Sequence, residues 1–386
     1  MTDGKKDTRY YTMDFWRGVA CLLVLVYHSC KYYLENPVYT NPHGLSRGVF
    51  MFLDHSWVGV PMFFVISGYC IAAACENARV KGFNAWNYVK RRFRRIYPPY
   101  WAAMLLSAVF LATFTLLGAG YLLYDDIRPL TSPSSISKAQ WLGNVTLTEI
   151  WRPKVWGGGE TRLLVIPAWS LCYEEQFYAI CGLLMWCFGR HFFSACLGLS
   201  ALVFPLMVWC DGPNGFFFDG RWIEFACGVA VYYRVQCAEP GSRLARWRII
   251  EVCLFLLAAG YFFVWKAHKD QISEEMFVSG GFALLAILLF KYDRRIFAGR
   301  AWRWIWVCGL MCYSLYLVHY PLNKFSSHLF YRMGIQGAWQ TMFISIPASI
   351  LLAMGAAWLF HCLVERRFLN TKPVALKSIF RVEPEI

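Results

Sequence analysis

Charge is scarce in this chain. Asp, Glu, Lys and Arg make up 16% of its 386 residues, where soluble domains carry about 25%. With 58% hydrophobic and 18% aromatic residues, that shortage excludes a soluble or disordered protein and puts the chain in the membrane class. Acidic residues are the scarcer sign, 24 against 38 Lys and Arg. The net charge of +14 does not point to nucleic acid, because the basic residues fall between apolar segments. Cys-x-x-Cys and Cys/His zinc spacings are absent among the 15 cysteines, so no metal site is expected. Most cysteines sit inside apolar segments, as Cys75 and Cys187 do, and read as helix-packing residues. A cleavable signal is missing too: the first apolar segment is too long and lacks a small-residue cleavage site. So is an internal repeat of the kind many transporters show.

What the chain does have is long apolar runs. Ten read as membrane spans: 15–34, 57–75, 99–118, 168–188, 192–210, 221–237, 249–266, 277–291, 304–323 and 341–363. The segment 221–237 is marginal, and eight or eleven spans follow if such a segment lies flat. Alternate loops differ in basic residues: 25 of the 38 fall on one side and 12 on the other, with Arg17 inside the first span. By the positive-inside rule the richer side, with both termini, is cytoplasmic. The expected fold is therefore all-α: a polytopic transmembrane helix bundle of about ten spans. A cytoplasmic tail (1–14) precedes one membrane domain (15–370), and a second cytoplasmic tail (371–386) follows. The longest loop, about 119–167, lies outside and carries Asp125, Asp126, Glu149 and Glu160.

Against this apolar background a few ionisable residues stand out. His28 lies near the outer end of the first span and Arg17 lies eleven residues before it. At ~100° per residue eleven steps make about three turns, so the two share a face and sit roughly 16 Å apart along the axis. Glu174 and Glu175 fall about seven residues into the fourth span, and His319 about four from the outer end of the ninth. All of these except Arg17 then sit roughly 6–11 Å below the outer surface. Ionisable groups sharing one depth in a bilayer are costly unless they face a common wet cavity.

Several motifs accompany them. Asp14-Phe-Trp-Arg17-Gly opens the first span, and Ser67-Gly68-Tyr69 ends an apolar run in the second. Arg91 and Arg95 precede Ile-Tyr-Pro98-Pro-Tyr-Trp101. Trp169-Ser-Leu-Cys-Tyr-Glu174-Glu175-Gln176 opens the fourth span, and the ninth holds Tyr313-Ser-Leu-Tyr-Leu-Val-His319. In order, type and spacing this set resembles the acyltransferase-3 family of integral membrane O-acyltransferases, over nearly all of 12–370. Two positions depart mildly: Tyr69 stands where Phe is more usual, and Cys172-Tyr173 where Ser-Val often precede the paired glutamates. The resemblance implies transfer of acetyl or another short acyl group from cytoplasmic acyl-CoA, with no permanently bound cofactor. The acceptor it implies is a hydroxyl on a surface carbohydrate or glycolipid, and the expected setting is a bacterial inner membrane. The family's arginine and histidine separated by ten residues fall on Arg17 and His28, and its arginine pair on Arg91 and Arg95. The soluble hydrolase-like domain of some relatives is not expected in the short stretch after the last span.

Residue chemistry agrees with that assignment. Arg91 and Arg95, four apart, share a helix face and can grip phosphates such as those of CoA, although anionic lipid head groups suit them as well. His28 can act as general base on a hydroxyl, or as a nucleophile through an acyl-imidazole. Glu174 is the expected partner that orients it, with Glu175 second. His319 would be a second proton carrier or an oxyanion donor. Arg17 would balance charge in the thioester channel or snorkel to the inner surface. Ser67-Gly68 reads as a site of close helix approach rather than a nucleophile, since no base is assigned to Ser67. Trp141, Trp151 and Trp156 suit stacking on sugars, or an interfacial belt. Acylation of a small secondary metabolite such as a macrolide is the alternative reaction, and a secondary transporter the alternative class.

Overall fold

The computed structural model describes residues 10, 13–35, 42–82, 84–120, 130–157, 159–209, 215–238, 242, 248–268, 271–299 and 302–369. The tails from 1 to 9 and from 370, and Asp125 and Asp126, lie outside them. Among the described residues there are helices and turns and no strand. The main helices are α1 (Met13–Glu35), α2 (Gly44–Asp54), α3 (Gly59–Val80), α4 (Ala85–Leu116), α5 (Lys138–Thr146), α6 (Arg152–Trp156) and α7 (Trp169–Phe188). Then come α8 (Phe192–Trp209), α9 (Arg221–Tyr232), α10 (Ile249–His268), α11 (Gln271–Leu289), α12 (Arg303–Leu310), α13 (Cys312–Arg332) and α14 (Ile346–Leu363).

The ten expected segments fall on helix where they are described, but among the described residues six helical stretches are long and apolar enough to cross a membrane, or seven with one bent pair. Helices α7 and α8 count as one stretch, 166–207. Neither α1, with Asp14 and Arg17 in its first turns, nor the 12-residue α9 is among them.

The fourth helix begins earlier than its apolar run. Asn84 caps it by accepting from the Asn87 amide at 2.9 Å, so Arg91 to Arg95 form its first turns rather than a loop. Pro98 and Pro99 then sit inside it.

The expected span 304–323 is not one straight helix. It breaks at Met311, and α12 and α13 meet at 82°. Interrupted backbone inside a membrane bundle is tolerated where it lines a cavity. Here the break does: Gly309, Leu310 and Met311 line one cavity, and Cys312 and Tyr313 a second.

Helices α3 and α9 cross in close contact because both carry glycine at the crossing. A Cβ on Gly68 would fall 1.9 Å from the Phe225 carbonyl oxygen, and one on Gly228 would fall 1.8 Å from that of Val65. Small residues that let backbones approach drive packing where lipid removes the hydrophobic force between helices. Gly68 therefore has the packing role read for it in the sequence.

The described part of the long loop, from 130 on, is folded. Arg152 and Glu149, both buried, pair through two bonds of 2.7 and 3.0 Å. Asn144 donates to the carbonyls of Gln140 and Arg162 and accepts from the Leu164 amide.

Candidate active site

Arg17 and His28 do face the same way. Both line a cavity of about 160 Å³ inside the bundle, bounded also by Ser67 of α3, Arg92 and Arg95 of α4, and Ser170 and Glu174 of α7. A larger vestibule of about 750 Å³ opens beside it at the arginine-rich end. Its walls include Lys81, Arg91, His361 and Arg366. Arg17, Cys70, Arg92 and Arg95 belong to both walls, so the cavities meet at a neck ringed by three guanidinium groups.

Each neck group is held differently. Arg17 donates to Asp14 Oδ1 at 2.6 Å and to Cys70 Sγ at 2.8 Å. Arg95 lies 3.6 Å from the Glu365 carboxylate. Arg92 sits over the ring of Tyr178, 5.0 Å from its centroid, and over Tyr88 at 5.9 Å. The sequence reading paired Arg91 with Arg95 and passed over Arg92. On α4, positions three apart share a face as well as positions four apart, and the packing turns Arg92 and Arg95 inward. Arg91 lines the vestibule but not the inner cavity.

His28 meets a second histidine. Its ring centroid is 5.2 Å from that of His319 and 5.1 Å from that of Tyr320. His319 is buried, and its Nδ1 lies 2.9 Å from the Leu315 carbonyl and 3.0 Å from that of Tyr316. Carbonyl oxygens only accept, so Nδ1 carries a hydrogen, and in the neutral ring Nε2 then carries the lone pair. That Nε2 is buried with no hydrogen-bond partner among the described residues. This tautomer can take up a proton at Nε2 but has no hydrogen there to give an oxyanion.

The two glutamates part company, as their ~100° separation on a helix requires. Glu174 lines the inner cavity and Glu175 does not. Glu174 Oε1 accepts from Ser67 Oγ at 2.6 Å, and its Oε2 from the Tyr178 hydroxyl at 2.9 Å. Ser67, left without a base in the sequence reading, has a carboxylate partner. Tyr97 faces Glu175 instead. Of the loop tryptophans, Trp151 contacts Trp156 at 5.6 Å and stacks on Phe216 at 6.0 Å, while Trp141 packs into the cluster around Leu111 and Leu164.

A basic vestibule thus narrows to a histidine-bearing cavity. Among known families, the model described as an acyltransferase domain, acyltransferase-3, matches residues 10–362. This chain belongs to the acyltransferase-3 family. The acyltransferase is also similar to a Rhizobium radiobacter protein named "Protein 2 in picA locus". The two are 28% identical over 167 residues, 43% of this chain and 77% of the relative. No solved structure matches this acyltransferase significantly. Its apolar helices and its family make it a multi-pass membrane protein.

Proposed function

We propose that this acyltransferase moves an acyl group, acetyl in the first instance, from cytoplasmic acyl-CoA to a hydroxyl of a lipid-linked or extracytoplasmic carbohydrate at a bacterial inner membrane. The observation that carries this reading is the neck, where Arg17, Arg92 and Arg95 stand between a roomy basic vestibule and the smaller cavity of His28. Arg91 and Arg95 hold the phosphates of CoA in charge-assisted hydrogen bonds. The pantetheine arm passes Arg17 and brings the thioester to His28.

His28 takes the proton of the acceptor hydroxyl as the oxygen attacks the thioester carbonyl. The carbon–sulfur bond breaks, and the imidazolium returns its proton to the CoA thiolate. Glu174, fixed by Ser67 and Tyr178, supplies the negative charge that steadies the imidazolium. His319, with a free lone pair at Nε2, is the second proton carrier. The acceptor arrives from the side of the folded loop, where Trp151, Trp156 and Phe216 offer ring faces.

The test uses the purified protein in liposomes, acetyl-CoA labelled in the acetyl group, and a lipid-linked carbohydrate extract of bacterial membranes. Base-labile label in the glycolipid and stoichiometric free CoA are expected. CoA binding without label transfer would overturn the acceptor, and failure to bind CoA would overturn the donor.

A further inference from the structure

Arg221, at the start of α9, is a cation the proposed reaction does not use. Its guanidinium forms ion pairs with Glu224 at 3.0 Å and with Glu275 at 2.5 Å. Both carboxylates are buried, and Ser279 and Gln271 donate to them as well. The guanidinium also sits 5.2 Å from the ring centroid of Trp169 and 5.7 Å from that of Phe64. These two rings, 6.2 Å apart, form part of the inner cavity wall.

Their place in that wall matters. Phe64 is three residues from Ser67 along α3, and Trp169 five from Glu174 along α7. Both steps lead away from the neck, so the rings stand ~4.5–7.5 Å beyond the Ser67–Glu174 bond. They flank the space between the neck and His28, which lines the same cavity. The cavity they help to wall is about 160 Å³. A cavity of ~150 Å³ takes one benzene, so this one has room for a thioester carbonyl and a few carbons.

A buried ion triad is a poor source of stability, since apolar residues of similar volume often do as well. What it supplies is a fixed geometry for a planar cation, and a guanidinium stacks on aromatic faces as an ammonium does not.

We propose that Arg221 is a positioning residue for donor selection: clamped by Glu224 and Glu275, it holds Phe64 and Trp169 as a rigid wall that sets the longest acyl chain the cavity admits. This rests on the acyl-CoA reading given above. The test measures kcat/KM with acetyl-, butanoyl- and octanoyl-CoA for the wild type, Trp169→Ala and Arg221→Lys. The lysine keeps the charge and loses the planar stack.

The wild type should prefer acetyl over octanoyl at least 100-fold. Trp169→Ala should reduce that ratio at least tenfold, in the range that a mis-sized apolar pocket gives. Arg221→Lys should move it the same way by a smaller factor, with the KM for acetyl-CoA nearly unchanged. Combined with Trp169→Ala it should change selectivity little further. If Arg221→Lys is not recovered in membranes, Trp169→Leu removes the stack from the ring side and is read the same way. Equal losses with all three donors would overturn the clamp while leaving the donor reading intact. A wild type that binds no CoA overturns both.

Discussion

Arg95 is tethered across the bundle to Glu365, 3.6 Å away beyond the end of α14. Glu365 is buried and also accepts from Ser314 at 2.6 Å and His361 at 2.8 Å. The guanidinium at the neck is thus aimed by a carboxylate that Ser314 of α13 and His361 of α14 hold in place. Glu365→Gln keeps the shape and the hydrogen bonds but removes the charge. It should raise the KM for acyl-CoA several-fold with kcat little changed. An equal fall in kcat would mean that Glu365 serves the bundle rather than Arg95.

Arg91→Ala with Arg95→Ala should weaken acyl-CoA binding at least tenfold, since hydrogen bonds to charged groups contribute ~1.5–3 kcal/mol. Arg92→Ala should add to the loss, because Arg92 stands in the neck beside Arg95. Titration of the purified variants with CoA is the measurement. Unchanged affinity in correctly inserted protein would return the cluster to lipid head groups.

His28→Ala should abolish transfer by ~10²–10⁴-fold and leave expression and CoA binding intact. Glu174→Gln should cost less, because it assists the base without moving the proton. Single-turnover assays separate the two. If His28→Ala keeps more than about a tenth of the rate, the base lies elsewhere, and His319, one ring away, becomes the first candidate.

Gly68→Ala should destabilise the protein by at least ~1–3 kcal/mol, the usual cost of overpacking, because its Cβ would meet the Phe225 carbonyl at 1.9 Å. Gly198→Ala is the control, since nothing lies within 4 Å of that position. Thermal unfolding in detergent compares them. Equal melting temperatures would show that α3 and α9 can separate freely.

Single cysteines in the 130–160 loop of a cysteine-free variant should react with impermeant reagents from outside the cell, and those in 80–95 only after lysis. The reverse pattern would overturn the orientation drawn from the basic loops.

Much of this protein is local and therefore legible in its residues. Long continuous apolar runs call for helices in lipid, because every backbone polar group there must be satisfied internally and barrel strands would alternate instead. Arg17 and His28 share a face by helical periodicity, and that relation survives any packing. The contents of the site are different. Which glutamate enters the cavity, which arginine turns inward and which histidine meets His28 all depend on how each helix is rotated against its neighbours. In a soluble protein an apolar stripe would reveal that rotation. In a bilayer, helices such as α7 are apolar on both the lipid side and the protein side, so no contrast marks the inward face. The break at Met311 was hidden for the same reason: the apolar run is continuous across it, and only the neighbours that line the two cavities show where the helix must turn.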